Sequence, residues 1–268
     1  MEKNLPKISI ITPSYNQAQF IEETILSVLD QNYPNLEFIV VDGGSTDGTL
    51  DILKRYNGRI QWFSERDRGQ SHAINKGFAA STGQIVAYLN SDDIYEPGAL
   101  LKVGRFFANH PEAAWVTGRC RIINPEGQEI RKAITWYKNF WLLLKSYNIL
   151  LVLDYISQPA TFWSREVLNR IGFLDETHHL VMDYDYSLRI GQCLKLHVIN
   201  EYLASFRVHE NSKSSLYTGP HFQADLEIAR AYTRSRLLIW LHALHNALIV
   251  STYRRLDTSK DNRSISLS

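Results

Sequence analysis

Gln84-Ile85-Val86-Ala87-Tyr88-Leu89-Asn90-Ser91-Asp92-Asp93, followed by Ile94-Tyr95-Glu96-Pro97, carries an apolar run straight into two adjacent carboxylates. Residues 84–89 have the composition of a buried strand. A strand that releases paired aspartates into a loop suits a hard divalent cation, which prefers oxygen ligands and shares them with substrate phosphates. The same residues also suit a plain strand end, with Asp92 and Asp93 capping a helix that Pro97 opens. The surroundings of the stretch separate the two readings.

Toward the N-terminus the chain alternates. Ile8-Ser9-Ile10-Ile11-Thr12 is a β-branched run that stops at the turn-forming Pro13-Ser14-Tyr15-Asn16. Phe20, Ile21, Ile25, Val28 and Leu29 then recur at helical spacing over 18–30. Residues 36–41 predict a second strand, ending at Asp42-Gly43-Gly44-Ser45-Thr46-Asp47-Gly48. Two glycines directly after a strand let backbone approach a ligand, and Ser45 to Asp47 can cap the next helix. Leu50, Leu53 and Tyr56 mark the inner face of that helix. Residues 60–64 predict a third strand, which leads through Glu65-Arg66-Asp67-Arg68-Gly69-Gln70 into a helix reaching Gly83.

Such alternation implies an α/β fold with a mostly parallel sheet, right-handed crossovers and helices on both faces. Ligands of these sheets bind outside the carboxyl ends of the strands. Residues 13–16, 42–47, 67–69 and 92–93 all fall there. Four polar clusters along one edge exceed what packing requires, which favours the ligand-binding reading of Asp92-Asp93.

Beyond the stretch the pattern is mixed. Residues 96–109 read as an amphipathic helix, 114–123 as a strand, and 136–153, rich in Trp, Tyr and Leu, as helix with a large apolar surface. Residues 158–163 predict a strand, 165–171 a short helix, 183–192 another helix and 196–206 the last strand. From 215 onward the pattern is helical, and 258–268 are polar enough to predict disorder. The expected organisation is therefore a domain over 1–214, with halves 1–95 and 96–214, and a helical extension with a polar tail over 215–268.

With 268 residues, 44% apolar and 21% charged, the chain has ample material for a buried core. A net charge of +1 lacks the basic stripe of a nucleic-acid binder. Cys120 and Cys193 form no CxxC pattern and read as thiols in a reducing compartment. Met1 to Lys7 contain no apolar h-region, and no stretch approaches the roughly 18 apolar residues of a membrane span. A cytoplasmic protein is expected, with contact to the inner face of a membrane left open.

Ile10-Ile11-Thr12-Pro13-Ser14-Tyr15-Asn16, Val40-Val41-Asp42-Gly43-Gly44-Ser45-Thr46-Asp47-Gly48-Thr49 and Ser91-Asp92-Asp93, in that order, resemble family 2 glycosyltransferases of the GT-A fold. Gly172-Phe173-Leu174-Asp175-Glu176, Met182-Asp183-Tyr184-Asp185 and Arg207-Val208-His209-Glu210-Asn211-Ser212-Lys213-Ser214 extend the likeness over roughly 7–214. Residues 65–70 with Ala73-Ile74-Asn75-Lys76-Gly77 look like bacterial members that build surface polysaccharides. The resemblance implies inverting transfer of a sugar from a nucleotide diphosphate donor to a saccharide or lipid-linked saccharide acceptor, assisted by Mg or Mn. By that likeness Pro13, Tyr15 and Asp42 frame the nucleotide base, Asp92 approaches the ribose or donor sugar, and Asp93 ligates the metal. It makes His209 a second metal or diphosphate contact and Asp183 the catalytic base. Three positions depart from the common pattern: Asn90 stands where many members have Asp, His72 where relatives often have Asp, and Met182 where an acid often precedes the base.

The chemistry needs these residue types. Negative charge builds on the leaving diphosphate, and a divalent ion bridging both phosphates stabilises it. Tyr15 offers a ring for base stacking and Asp42 an acceptor for an imino N–H; packing of a half-buried aromatic and helix capping are their bland counterparts. Arg68 can contact diphosphate and Asp67 the base, or both can belong to a solvated charge cluster over 65–68. The acceptor hydroxyl must lose a proton, which a carboxylate base can take. Asp183 and Asp185, two apart on a helix, cannot face one site. Asp185 stands four residues before Arg189 and suits a helix-surface ion pair, leaving Asp183 at the helix start as the base. His209, with Arg207 and Ser212-Lys213-Ser214, suits a segment that closes over diphosphate, or ordinary packing.

Other classes fit less well. A nucleotidyltransferase calls for a Gly-rich, Arg-containing loop after the first strand, and residues 12–16 contain no glycine. A dinucleotide oxidoreductase calls for GxGxxG there. A binding module without turnover has no need of both Asp93 and Asp183. The Leu-rich segment 237–248, with Trp240 and nearby arginines, fits an interfacial helix, a core helix or a dimer contact.

Overall fold

The computed structural model describes residues 5–210, 212 and 219–265. Strands β1 (Ile8–Ser14), β2 (Leu36–Asp42), β3 (Gln61–Ser64) and β4 (Ile85–Tyr88) lie in the order β3-β2-β1-β4, all parallel. Helices α1 (Ile21–Leu29), α2 (Thr49–Arg55) and α3 (Gln70–Ala80) make the crossovers. The continuous apolar runs follow from burial on both faces. Ile8, Ile10, Phe38, Val40 and Ala87 join one core with Ile21, Ile25 and Val28 of α1. Their strand neighbours Ile11, Ile39, Val41, Val86 and Tyr88 join the opposite core with Ala73, Ile74 and Phe78 of α3. This is the period-two alternation of a strand divided between two helical layers. A Cβ at Gly77 would run into the Ile11 side chain, so glycine sets how near α3 lies to β1.

The second half widens the sheet with β5 (Ile94–Tyr95), β6 (Trp115–Ile123), β7 (Thr161–Ser164) and β8 (Leu196–Arg207). The full order is β3-β2-β1-β4-β7-β6-β8-β5. β7 runs antiparallel to β4 and β6, β8 runs parallel to β6, and β5 runs antiparallel to β8. Helices α4 (Ala99–Asn109), α5 (Lys132–Leu144), α6 (Tyr147–Leu150), α7 (Arg165–Ile171), α8 (Met182–Gly191), α9 (Gly219–Tyr232) and α10 (Arg236–Ile265) complete the chain.

Four local expectations change. The helix over 136–153 is broken where Lys145 adopts φ 51 and Ser146 caps α6 through its side chain. The expected strand start at 158–160 is a 3₁₀ turn containing Pro159, whose missing N–H removes a ladder bond. Ile94-Tyr95 pair with Ser205 and Ala204 before the chain turns at Gly98 (φ 75) into α4. The polar end continues α10 as far as Ile265, where disorder is expected from composition; extending a helix avoids the cost of nucleating one. Residues 266–268 lie outside the described residues.

Candidate active site

The loops at the carboxyl ends of β1 and β2 are fastened to each other. The Asn16 N–H donates to Ser45 Oγ (2.8 Å), and Asn16 Oδ1 accepts the Thr46 N–H (2.9 Å). The Gln17 and Ala18 N–H groups donate to Thr49 Oγ1 and Asp47 Oδ2. Pro13 is buried beneath this junction while Tyr15 is 60% exposed at its rim. Asp42 is wholly buried: Oδ1 accepts Ser45 Oγ, and Oδ2 accepts the Gly44 and Ser45 N–H groups and Ser64 Oγ. Through these bonds Asp42 shapes the glycine loop at the end of β2. The half-buried Asp67 lies against that loop. A Cβ at Gly43 would meet the Asp67 carboxylate, whose Oδ1 accepts the Gly69 N–H at 2.8 Å. Arg68 reaches across to the second half, its Nη2 2.7 Å from Glu176 Oε2, while Glu176 Oε1 also accepts from Asn75.

The adjacent carboxylates of the opening stretch have opposite environments. Asp93 is wholly buried; Oδ1 accepts the Arg207 N–H (2.9 Å) and Oδ2 the Asn90 side-chain amide (3.2 Å). Burial, then the neighbouring Asp92, pushes its carboxyl well above the usual range. Asp92 turns the other way, with Oδ2 3.0 Å from His209 Nε2. A carboxylate oxygen and an imidazole nitrogen thus converge at the sheet edge, both side chains retaining some exposure. That pair fits a divalent cation whose other positions are taken by diphosphate oxygens and water. Among the described residues no cluster of three or more His, Cys, Asp or Glu side chains offers an all-protein cage. The burial of Asp93 therefore weighs against its expected ligand role and favours Asp92.

Arg207 organises this corner. Its buried guanidinium donates to the Asp92, Asn124 and Pro125 carbonyls and to Glu23, and lies over the Phe20 ring. Every described bond points into the protein, so it supports Asp92 from behind instead of closing over diphosphate. Phe20 packs on His209 from the same side, with ring centroids 4.6 Å apart. Ser212 Oγ donates to the His209 carbonyl, whereas Lys213 and Ser214 lie outside the described residues. Asn90, in place of the common Asp, donates to Asp93 and accepts from Gln70, a pairing that needs an amide.

Asp183 stands in the first turn of α8 and lines a pocket with Tyr88, Asp154, Gln158 and Trp163. The pocket links it to the opening stretch, since Tyr88 lies on β4 four residues before Asp92. Antiparallel pairing of β4 with β7 stacks Trp163 on Tyr88 at 6.0 Å, and Gln158 donates to the Tyr88 carbonyl. Tyr88 Oη, Gln158 Oε1 and Trp163 Nε1 are buried without a hydrogen-bond partner among the described residues. Asp185 pairs with Arg189 as expected but is buried, not at the helix surface: Oδ2 lies 3.0 Å from Arg189 Nε, and Oδ1 accepts Tyr232 Oη at 2.6 Å. Met182 is buried against α3, where it accepts a hydrogen bond from Ser71 Oγ.

Sequence reading missed the groups around Asp183. Burial raises Asp154 to about 6, with Asp183 adding to the rise and Lys138 opposing it. Burial, then Asp154 and Asp183, raises Asp225 of α9 to about 8. His221, 3.5 Å from Asp225, is pushed down by burial, so desolvation favours the neutral form of both partners. A lone acid within the apolar run around 149–156 was the available signal for Asp154. Asp225, on a helix distant in sequence, had none.

The sequence pattern of Glycosyl transferase family 2 matches residues 9–172. The chain belongs to that family. It is 43% identical over 117 residues to a Bacillus subtilis (strain 168) protein named as a teichuronic acid biosynthesis glycosyltransferase, TuaG, covering 42% of this chain and 46% of that one. It is 29% identical over 210 residues to an uncharacterized glycosyltransferase, alr2836, of Nostoc sp., covering 76% and 65%. The chain thus spans less than two thirds of either relative. Among solved structures, the mannosyltransferase PcManGT from Pyrobaculum calidifontis, in complex with GDP-Man and Mn2+, superposes with TM-score 0.69 at 19% identity, covering 98% of this chain and 83% of that one. S. aureus TarS 1-349 with UDP-GlcNAc gives 0.65 at 21% identity, covering 83% and 65%. These likenesses establish the GT-A fold.

Proposed function

We propose that this chain is an inverting glycosyltransferase that moves a sugar from a nucleoside diphosphate sugar to a hydroxyl acceptor in bacterial surface polysaccharide or glycolipid synthesis. The carrying observation is the Asp92–His209 pair at the carboxyl edge of β4, joined through Tyr88 to the pocket that holds Asp183. Family membership and the nucleotide-sugar complexes of the two structural neighbours support the donor class. In this reading residues 1–95 form the donor half and 96–214 the acceptor half, at the cytoplasmic face of the cell membrane.

Tyr15, Pro13 and the loop held by Asp42 frame the base, and Asp67 supplies the half-open carboxylate beside them. Asp92 and His209 would hold a Mg or Mn ion, which would supply positive charge to offset that developing on the leaving diphosphate. Asp183 takes the acceptor's hydroxyl proton as the oxygen attacks the anomeric carbon from the face opposite the departing diphosphate.

Asp183→Asn is expected to lower transfer on the order of 10³-fold while leaving Mn-dependent binding of nucleoside diphosphate unchanged. A thermal-shift screen of nucleotide sugars with and without Mn, followed by donor hydrolysis, measures both. Loss of nucleotide binding in that variant would remove the base assignment. No donor stabilising the wild-type chain would remove the reading itself.

A further inference from the structure

The chain's charge is segregated in a way the candidate active site does not use. Residues 130–153 and 228–256 contain nine Lys and Arg and no Asp or Glu. The whole chain has 29 basic and 28 acidic residues, so the remainder holds 20 against 28. The first segment contains α5 and α6; the second contains the end of α9 and most of α10. These two stretches meet in space: the Tyr137 and His245 rings stack at 6.2 Å, and His242 Nδ1 donates to the Leu151 carbonyl at 2.8 Å.

Their outward faces carry large apolar side chains. On α5, Trp136, Phe140 and Leu144 recur at four-residue spacing and are 71%, 49% and 52% exposed. On α10, Leu237, Trp240 and Leu244 are 64%, 59% and 43% exposed. The exposed Lys132, Lys145, Arg234 and Arg236 flank these stripes. Apolar residues with tryptophans, bordered by cations and free of anions, match the boundary between lipid headgroups and acyl chains. A second copy of this chain would face the same positive surface, and like charges oppose that pairing. Among the described residues no helix is long and apolar enough to cross a membrane, which suits a surface that lies on a bilayer.

From the two stripes and their cationic border we infer that α5 and α10 together dock this protein on an anionic lipid bilayer. Two hydrogen bonds connect the helices of this surface to the helix of the proposed base. Tyr184, next to Asp183, donates through its hydroxyl to the Leu150 carbonyl, one residue from the contact of His242. Docking there brings the Asp183 pocket to the membrane, where an acceptor carried on a lipid is held. That consequence rests on the glycosyltransferase reading; the docking itself does not.

The test is co-sedimentation of the full chain with phosphatidylglycerol-containing and pure phosphatidylcholine vesicles. Binding to the anionic vesicles is expected, weakened by added salt, with little binding to the neutral ones. Trp136→Ser with Trp240→Ser is expected to weaken partitioning about tenfold or more, and Arg234→Glu with Arg236→Glu to abolish the preference for anionic lipid. Circular dichroism and Mn-dependent donor hydrolysis, both expected to be unchanged, show that the variants fold. Absence of binding to anionic vesicles, or equal binding by folded variants, overturns the inference. So does a concentration-dependent dimer that the tryptophan substitutions dissolve. Vesicle binding without donor hydrolysis in the wild type would sink the glycosyltransferase reading and leave the docking surface standing.

Discussion

The parallel sheet edge and the pocket around Asp183 treat their carboxylates in opposite ways. In the parallel half, acids are met by donors. Against the upward push of burial, hydrogen bonds from Lys7, Ser9 and Thr82 draw Glu37 down to about 2, and Thr49 and Ala18 hold Asp47 below its usual range. Around the Asp183 pocket, Asp154 and Asp225 are raised to about 6 and about 8, burial being the largest cause in each. A half whose carboxylates are tied to backbone N–H groups and hydroxyls holds its shape before any ligand arrives. A half whose carboxylates are buried close together keeps them protonated to higher pH than a solvated acid.

Asp93 breaks that division, because it is an acid of the parallel half that is wholly buried and raised like those of the pocket, and it supplies the sharpest contrast. Asp92→Ala is expected to weaken metal-dependent donor binding about 10–100-fold with little change in melting temperature. Asp93→Ala is expected to cost about 1–3 kcal/mol of stability by leaving the buried Arg207 N–H unpaired. Titrating Mn against each variant with nucleoside diphosphate present separates them; an undiminished metal response in Asp92→Ala would return the ligand role to Asp93.

A smaller effect probes the surroundings of Asp183 by pH. The folded protein raises Asp225 above its unfolded value of 3.8, so its stabilising contribution is complete below that value and is lost as pH rises through about 8. The buried His242 and half-buried His221 and His245 are shifted down by desolvation, so their contribution is lost at acid pH and is constant above about 6.5. Between pH 6.5 and 8, Asp225 should therefore lower stability by about 1–2 kcal/mol, and the decline should level off above 8. Denaturant midpoints across that window are expected to flatten in Asp225→Asn. The same slope in wild type and variant would assign the decline elsewhere.

The smallest effect lies where the halves meet. Arg68 and Glu176 form an exposed pair, so Arg68→Ala should cost at most about 1 kcal/mol. A raised donor KM in that variant, with kcat unchanged, would show that Arg68 leaves Glu176 to meet the diphosphate; an unchanged KM would confine it to bridging the halves.

Most of the parallel half was legible in the sequence. The runs 8–12, 36–41, 60–64 and 84–89 alternate with helical spacing, and both cores take their side chains from those periods. The reading weakened from Ile94 on. Two-residue β5 is held by its partner in β8, and the turn at 158–160 depends on Pro159 beside a sheet already formed. The Asp185–Arg189 pair was readable because helix geometry alone brings such residues together. The convergence of Asp154, Asp183 and Asp225 was not, since no local period relates them.

Local sequence determined where strands end and helices begin, and so placed Pro13, Asp42, Asp67 and Asp92 along one edge. Steric periodicity and turn chemistry act over a few residues and can be read without knowing the rest of the chain. Only the tertiary structure decided which of two neighbouring aspartates faces His209 and which accepts the Arg207 N–H. Ser91-Asp92-Asp93 is equally acidic at both positions, and the choice was made by β8 arriving more than a hundred residues later to bury one carboxylate and leave the other at the edge.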